Sequence, residues 1–169
     1  MRVYIPVTLA MLRQLVTDGS LRPVSGTAFA VTPKLREAYA EGDGDELGEV
    51  ALQEAALASL RLLAGAGDAP DDDTLPPRRA VLVADVSDVT LRPDLDDAVV
   101  RLGVPVTTDE VVAAFVDNAA AEAHVKAAVE VIDAADLGDE DAELTVGDAQ
   151  DHDLAWYATQ ELPFLLELL

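Results

Sequence analysis

The sequence feature that most constrains the fold is the apolar segment AVLVADV at residues 80–86. It is almost continuously hydrophobic and rich in valine, a pattern typical of a central β-strand that is covered on both faces. A central strand needs neighbours, and the other strand candidates are residues 2–7, 27–31 and 98–104. The sequence therefore predicts a sheet of about four strands.

Helices are expected between these strands. Thr8 and Thr32 stand where N-caps are needed, ahead of short helices that end near Val16 and Ala40. A longer helix is predicted over residues 46–64. Because this helix is apolar around most of its circumference, we expect it to be buried on more than one side.

Three further helices are predicted in the second half of the chain. Residues 107–110, TTDE, match a capping box and predict a helix that ends near Asn118. Apolar residues at helical spacing predict another over residues 120–135. A last helix is expected from about Asp151, broken near Pro163.

These elements indicate an α+β fold in a single domain, residues 1–169, with a mixed sheet of about four strands packed against several helices. An α/β three-layer arrangement is the alternative. Residues 65–79 are rich in proline, glycine and aspartate and are expected to form a mobile acidic loop. We interpret this segment as a loop rather than a domain linker, because strands on both of its sides need the same sheet.

The charge balance excludes two classes of partner. The chain has 33 acidic and 11 basic residues, for a formal net charge of −22. Such a polyanion repels nucleic acid phosphates and anionic lipids, so neither a nucleic acid nor a membrane is expected as a partner. There is no cysteine, which excludes a disulfide framework and a cysteine zinc site. With neither a membrane span nor a leader pattern, the expected location is the cytoplasm.

Acidic clusters are the first candidate site. Carboxylates supply the oxygen ligands that Mg²⁺ or Ca²⁺ prefers, so one of these ions would be the cofactor of such a site. A calcium-loop template that begins at Asp139 fails, because Leu144 stands where glycine is needed and Gln150 where glutamate is needed. The competing interpretation is a solvated acidic surface with no cofactor. The candidate metal ligands are Asp94, Asp96, Asp97, Asp139, Asp141 and Glu143, and Asp85, Asp88 and Asp136 belong to the same clusters.

Other catalytic signatures are missing from the sequence. His124 and His152 are the only histidines, and no HExxH or related spacing joins them. No GxSxG motif surrounds a serine, and no glycine-rich loop follows a strand in the way that phosphate binding requires. The catalytic residues therefore stay unassigned, and no nucleotide cofactor is expected.

The C-terminal segment carries the densest group of aromatic residues in the chain. The first interpretation is that Trp156 and Phe164 anchor the last helix in the core. The alternative is that this helix covers a groove on a partner or on a second copy of the chain. On that alternative the interaction residues are Trp156, Tyr157, Phe164 and Leu165.

Four stretches carry a resemblance to a known family. They are MRVYIPVT at the start, DVTLRPDLDDAVVRL at residues 88–102, VIDAADLGDEDAE at residues 131–143 and DLAWYATQELPFLLEL at residues 153–168. Together they resemble an uncharacterised family of small acidic actinobacterial proteins. The resemblance spans nearly the whole chain, and it implies neither an activity nor any functional residue.

The function is thus left between two hypotheses. In the first, the protein is a non-enzymatic cytosolic interaction or regulatory protein that uses an acidic face and the C-terminal helix to bind a protein partner or form a homodimer. In the second, it is a divalent-metal-dependent enzyme built on an Asp/Glu cluster. The enzyme hypothesis requires carboxylates that converge in a concave pocket, whereas the interaction hypothesis requires carboxylates spread over a convex surface.

Overall fold

The computed structural model describes residues 1–39, 41–66 and 75–169. In these ranges the strands are β1 (Arg2–Val7), β2 (Ser20–Leu21), β3 (Thr27–Phe29), β4 (Ala80–Asp85), β5 (Val89–Leu91), β6 (Val99–Leu102), β7 (Val106–Thr107), β8 (Val111–Val116) and β9 (Ala155–Ala158). The helices are α1 (Leu9–Asp18), α2 (Pro33–Ala38), α3 (Gly44–Ala66), α4 (Glu122–Asp136), α5 (Glu140–Gln150) and α6 (Leu162–Glu167).

Seven of the strands form one sheet in the order β5-β6-β3-β1-β4-β8-β9, and β2 pairs with β7 separately. The α+β class is confirmed. The sheet is larger than the four strands expected, and its pairings are antiparallel rather than mixed. The central position of β4 is also confirmed, because β4 lies between β1 and β8 and residues 80–84 are buried.

Helices cover both faces of this sheet. Along β1 the side chains alternate, so that Val3, Ile5 and Val7 pack with α1 and α6 while Tyr4 packs with α3. On the outer side of α3, Leu60 packs in a third apolar cluster with α4 and α5. The layering is that of the three-layer alternative, whereas the antiparallel pairing is typical of an α+β fold.

The expected helix caps in the first half are confirmed. The Thr8 side chain accepts a hydrogen bond from the Met11 backbone N–H, and the Thr32 side chain accepts one from that of Leu35. Gly19 ends α1 in the left-handed region with φ of 79°, which glycine adopts without steric cost.

The helix predicted after the TTDE sequence is wrong. The capping box is present, since Glu110 accepts a hydrogen bond from the Thr107 backbone N–H, but it caps a single 3₁₀ turn over Thr108–Glu110. The chain then continues as β8, the sequence VVAAFV, which pairs with β4 on one side and β9 on the other. Tertiary pairing of β-branched residues overrides the local cap.

The helix predicted from Asp151 is also wrong. Residues 155–158 form β9, an edge strand of the sheet, and the final helix α6 begins only at Leu162. Pro163 does not break a helix, because it lies in the first turn of α6, where its missing N–H costs no hydrogen bond.

A buried ion pair joins the ends of the central strands. The Arg79 guanidinium donates to both carboxylate oxygens of Asp117, at 2.9 and 2.8 Å, and to the His152 backbone carbonyl at 2.8 Å. Both charged side chains are 1 % exposed or less. The contact ties the start of β4 and the end of β8 to the segment before β9.

Most of the loop expected at residues 65–79, namely residues 67–74, lies outside the described residues.

Candidate functional site

One face of strands β1, β4, β8 and β9 and the first turns of α3 line an open cleft of about 260 Å³. Its walls combine aromatic and charged side chains, and we call it the Trp156 cleft. The residues that give it its chemistry are Arg2, Tyr4, Asp45, Glu49, Phe115 and Trp156.

Strand register places the three aromatic side chains of the cleft on the same face of the sheet. Phe115 of β8 is the direct cross-strand partner of Trp156 of β9. Tyr4 and Phe115 both pack at the margin of the apolar cluster under α3. Trp156 keeps 58 % of its surface exposed. The cleft therefore has an aromatic wall that water still reaches.

The carboxylates of the cleft come from the N-terminal turns of α3. Asp45 and Glu49 are one helical turn apart, and neither forms a salt bridge with another residue in the described ranges. Gly48 lies between them, and a Cβ there would stand 3.1 Å from the Tyr4 hydroxyl oxygen. The lack of a side chain at Gly48 lets the phenol of Tyr4 lie close to α3.

The pKa of Tyr4 is set first by burial and then by the charges around the phenol. Burial raises the pKa of the Tyr4 phenol, and the charges of Glu49 and Asp45 raise it further, while Arg2 opposes them.

The positive charge in the cleft is already paired. The Arg2 guanidinium donates to both oxygens of Asp85, at 3.1 and 3.2 Å. The same hydrogen bonds lower the pKa of the Asp85 carboxyl below its usual range. With Arg2 balanced by Asp85, the carboxylates of Asp45 and Glu49 leave the cleft with a net negative charge.

This combination of groups suits a cation. Aromatic faces attract a cationic group through the ring quadrupole, and carboxylates at the rim supply its counter-charge. The described residues that line the cleft therefore supply what a bound cation needs: aromatic faces from Tyr4, Phe115 and Trp156 and carboxylates from Asp45 and Glu49.

The first group of predicted metal ligands lies in the connection between β5 and β6. Asp94 accepts two hydrogen bonds from Arg92, at 3.0 and 2.8 Å, which lower the pKa of its carboxyl. Asp96 accepts from the backbone N–H of Asp97. These carboxylates are engaged in local turn and ion-pair contacts.

The second group lies at the start of α5. Asp139 is the N-cap and accepts a hydrogen bond from the Ala142 backbone N–H, while Asp141 and Glu143 are exposed in the first turn. Acidic residues at this position are stabilised by the helix dipole. In the part of the chain that the structure describes, no three His, Cys, Asp or Glu side chains are grouped to hold a metal ion. The Mg²⁺ or Ca²⁺ site stays a prediction.

The predicted interaction residues do not form one surface. Trp156 lies in the cleft, whereas Tyr157 points to the opposite face of the sheet and packs against the core. Leu165 is buried with the core of that face, and Phe164 is 68 % exposed on α6. The expectation that Trp156 and Phe164 anchor the last helix in the core is wrong, because Leu162 and Leu165 do so.

Sequence reasoning missed Tyr4, Phe115, Asp45 and Glu49. An available signal was strand alternation, which puts Tyr4 on the face opposite to Val3 and Ile5. The structure also brings together His124 and His152, with the Nδ1 atom of the first 2.6 Å from the Nε2 atom of the second.

Comparison with known proteins identifies a family but no activity. A model of a family of unknown function (DUF6912) matches residues 1–166. No curated protein and no solved structure matches the chain. No helix in residues 1–39, 41–66 or 75–169 combines the length and apolar character needed to span a bilayer.

Proposed function

The chain belongs to this family of unknown function, which supplies no activity, so we propose a role from the geometry of the Trp156 cleft. The protein binds a partner protein by receiving a lysine or arginine side chain in this cleft. The observation that carries the proposal is the placement of a half-exposed tryptophan beside two carboxylates that form no salt bridge in the described ranges. A basic side chain can stack on the aromatic wall and pair with Asp45 and Glu49.

The charge of the whole chain supports a basic partner. A net charge of −22 attracts a cationic segment over long range and speeds its encounter with the cleft. This role agrees with the interaction hypothesis in using an acidic face to bind a protein partner. It differs in that the β9 edge of the sheet, and not the C-terminal helix, forms the binding surface. The proposal retains the cytoplasm as the expected compartment.

The position of β9 supports an extended partner segment. β9 is the last strand of the sheet and pairs with β8. A peptide that adds to the other side of β9 continues the sheet and presents alternate side chains to the face that carries Trp156. Backbone pairing would then supply affinity, and the cleft would supply selectivity for a basic residue.

Fluorescence tests this proposal directly, because Trp156 is the only tryptophan of the chain. Short extended peptides with a central arginine or lysine are titrated into the protein, with matched peptides that carry citrulline or norleucine at the same position. We expect the basic peptides to change the Trp156 emission saturably. The neutral peptides should bind at least about tenfold more weakly than the basic ones. Equal binding of arginine and citrulline peptides would refute recognition of charge.

A pair of double variants separates the cleft from the general field of the protein. Asp45→Asn/Glu49→Gln removes the cleft carboxylates, and Glu140→Gln/Glu143→Gln removes two exposed carboxylates of α5, so the net charge changes equally. We expect about a tenfold loss of affinity in the first variant and less than about twofold in the second. Similar losses in both would show that only the overall charge attracts the peptide.

A further inference from the structure

The two histidines of the chain form a pair away from the Trp156 cleft. His124 lies in α4, and His152 lies between α5 and β9. Their facing nitrogens, Nδ1 of His124 and Nε2 of His152, are 2.6 Å apart, and their ring centroids are 4.8 Å apart. Two imidazole nitrogens separated by 28 positions in sequence therefore converge on one point.

The backbone beside this pair is held by a buried contact. The carbonyl of His152 accepts a hydrogen bond from Arg79, whose guanidinium is also fixed by Asp117 in the interior. His124 lies in the regular structure of α4, near its first turn. The two rings are thus presented from positions that are already ordered, which lowers the entropic cost of binding a ligand between them.

A hydrogen bond between the rings gives little stability by itself. His124 is exposed and His152 is partly exposed, so water competes for both nitrogens. Ordering two side chains for one solvent-accessible hydrogen bond is nearly balanced by the lost rotamer freedom. Two imidazole nitrogens that lie this close can instead bind one transition-metal ion. Imidazole is a ligand that suits ions between hard and soft in character, such as Zn²⁺, Cu²⁺ and Ni²⁺.

We propose that His124 and His152 bind one divalent transition-metal ion of the Cu²⁺, Ni²⁺ or Zn²⁺ class through these two nitrogens. Metal–nitrogen bonds of about 2.0–2.1 Å at a tetrahedral angle separate the nitrogens by roughly 3.3 Å, so the nitrogens move apart by under about 1 Å and the rings turn until both lone pairs point at the metal. In the neutral pair, the ring that donates the hydrogen bond shifts its N–H to its other nitrogen, which faces away, so both ligating nitrogens present a lone pair to the metal.

The surroundings define the character of the site. No third His, Cys, Asp or Glu within the described ranges joins the pair, so water or a ligand from solution completes the coordination. Asp151 and Asp153 flank His152 in sequence, and the negative chain favours the approach of a cation. The site is therefore open and exchangeable, unlike a closed structural zinc site.

Copper titration of the tag-free full chain tests the proposal, because the chain offers only two imidazoles and no thiol. We expect one Cu²⁺ per chain, with electron paramagnetic resonance couplings from two imidazole nitrogens. The variants His124→Ala and His152→Ala are each expected to lose the coupling from one imidazole nitrogen. Each should bind Cu²⁺ at least about tenfold more weakly than the parent protein. Both side chains are at least partly exposed, so the variants keep the fold, and circular dichroism checks this.

Controls separate imidazole ligation from attraction to acidic surface. Asp133→Asn, an exposed change on α4, is expected to bind Cu²⁺ as the parent protein does, and excess Mg²⁺ is expected not to displace the copper. Displacement by Mg²⁺, absence of imidazole couplings, or unchanged copper affinity in His152→Ala would each overturn the proposal. If either alanine variant unfolds, the variants His124→Gln and His152→Gln give the same test.

Discussion

The middle of the sheet and its β9 edge differ in what covers the face turned toward α3. Around β3, β1 and β4 this face lies beneath α3, where Phe29 and Val81 are buried together with Val99 of the neighbouring strand β6. At the β8–β9 edge the same face carries Trp156, which is 58 % exposed, beside the carboxylates of Asp45 and Glu49. The covered part of this face is packed core, and the exposed part is a cleft.

The difference indicates where stability and function are located. A buried tryptophan would contribute on the order of 2–3 kcal/mol more than an exposed one, so leaving Trp156 in water forgoes stabilisation. The sequence places no apolar helix over it and puts acidic residues at its rim instead. The covered middle of the sheet therefore maintains the fold, while the open edge is the part that the proposed partner would contact.

The largest expected effect comes from the buried ion pair that ties the start of β4 to the end of β8. Asp117→Ala leaves the Arg79 guanidinium buried without its counter-charge, so we expect a loss of about 3–5 kcal/mol in the free energy of unfolding measured with urea. Asp94→Ala, which breaks an exposed pair with Arg92, is the control and should leave the urea midpoint nearly unchanged. Equal midpoints for the two variants would contradict the assigned role of the buried pair.

A core substitution under α3 should cost somewhat less. Leu47 is 1 % exposed and packs against the sheet from α3, so Leu47→Ala creates a cavity and is expected to lower stability by about 2–4 kcal/mol. Urea unfolding measures it. A cost below about 1 kcal/mol would mean that α3 does not pack as tightly on the sheet as described.

At the open β9 edge the same kind of truncation should hardly affect stability. Trp156→Ala removes a larger side chain than Leu47→Ala, yet we expect a loss of about 1 kcal/mol or less, because the indole is more than half exposed. Calorimetric titration should show that the folded variant no longer binds the arginine peptide. Severe destabilisation would place Trp156 with the core.

The smallest effect concerns the Tyr4 phenol. Its pKa is raised by burial and by Glu49 and Asp45, so it should ionise above the usual value of 10.0. The associated stability is fully present below pH 10.0 and is lost as the pH rises through the folded-state pKa.

Carbon NMR of labelled tyrosine follows this titration. Glu49→Gln is expected to move the pKa of Tyr4 back toward its usual value, and Glu143→Gln should not change it. A pKa of Tyr4 that is the same in all three proteins would show that the cleft carboxylates do not act on the phenol.

The core of the fold was accessible from sequence because its signals are strong and local. The continuous apolar run at residues 80–86 predicted the central strand, and the threonine caps at Thr8 and Thr32 marked α1 and α2 correctly. The segments VVAAFV and AWYA were misassigned. A short apolar run is ambiguous between helix and strand, and only pairing with β4 and with each other makes these segments β8 and β9.

The candidate sites could not be derived in the same way. The Trp156 cleft depends on the register that sets Phe115 opposite Trp156, and this register follows from the sheet rather than from any motif. His124 and His152 are 28 positions apart and meet only because α4, α5 and β9 fold together. Spacing rules recognise ligands on one element, and these residues lie on different elements.

Amide shifts in a ¹⁵N-labelled protein titrated with the arginine peptide test most directly whether the peptide binds in the Trp156 cleft. Binding there should give saturable changes at β9, at β8 around Phe115 and in the first turns of α3, with little change at α6. Changes centred on Phe164 and α6, with the cleft amides unmoved, would contradict it.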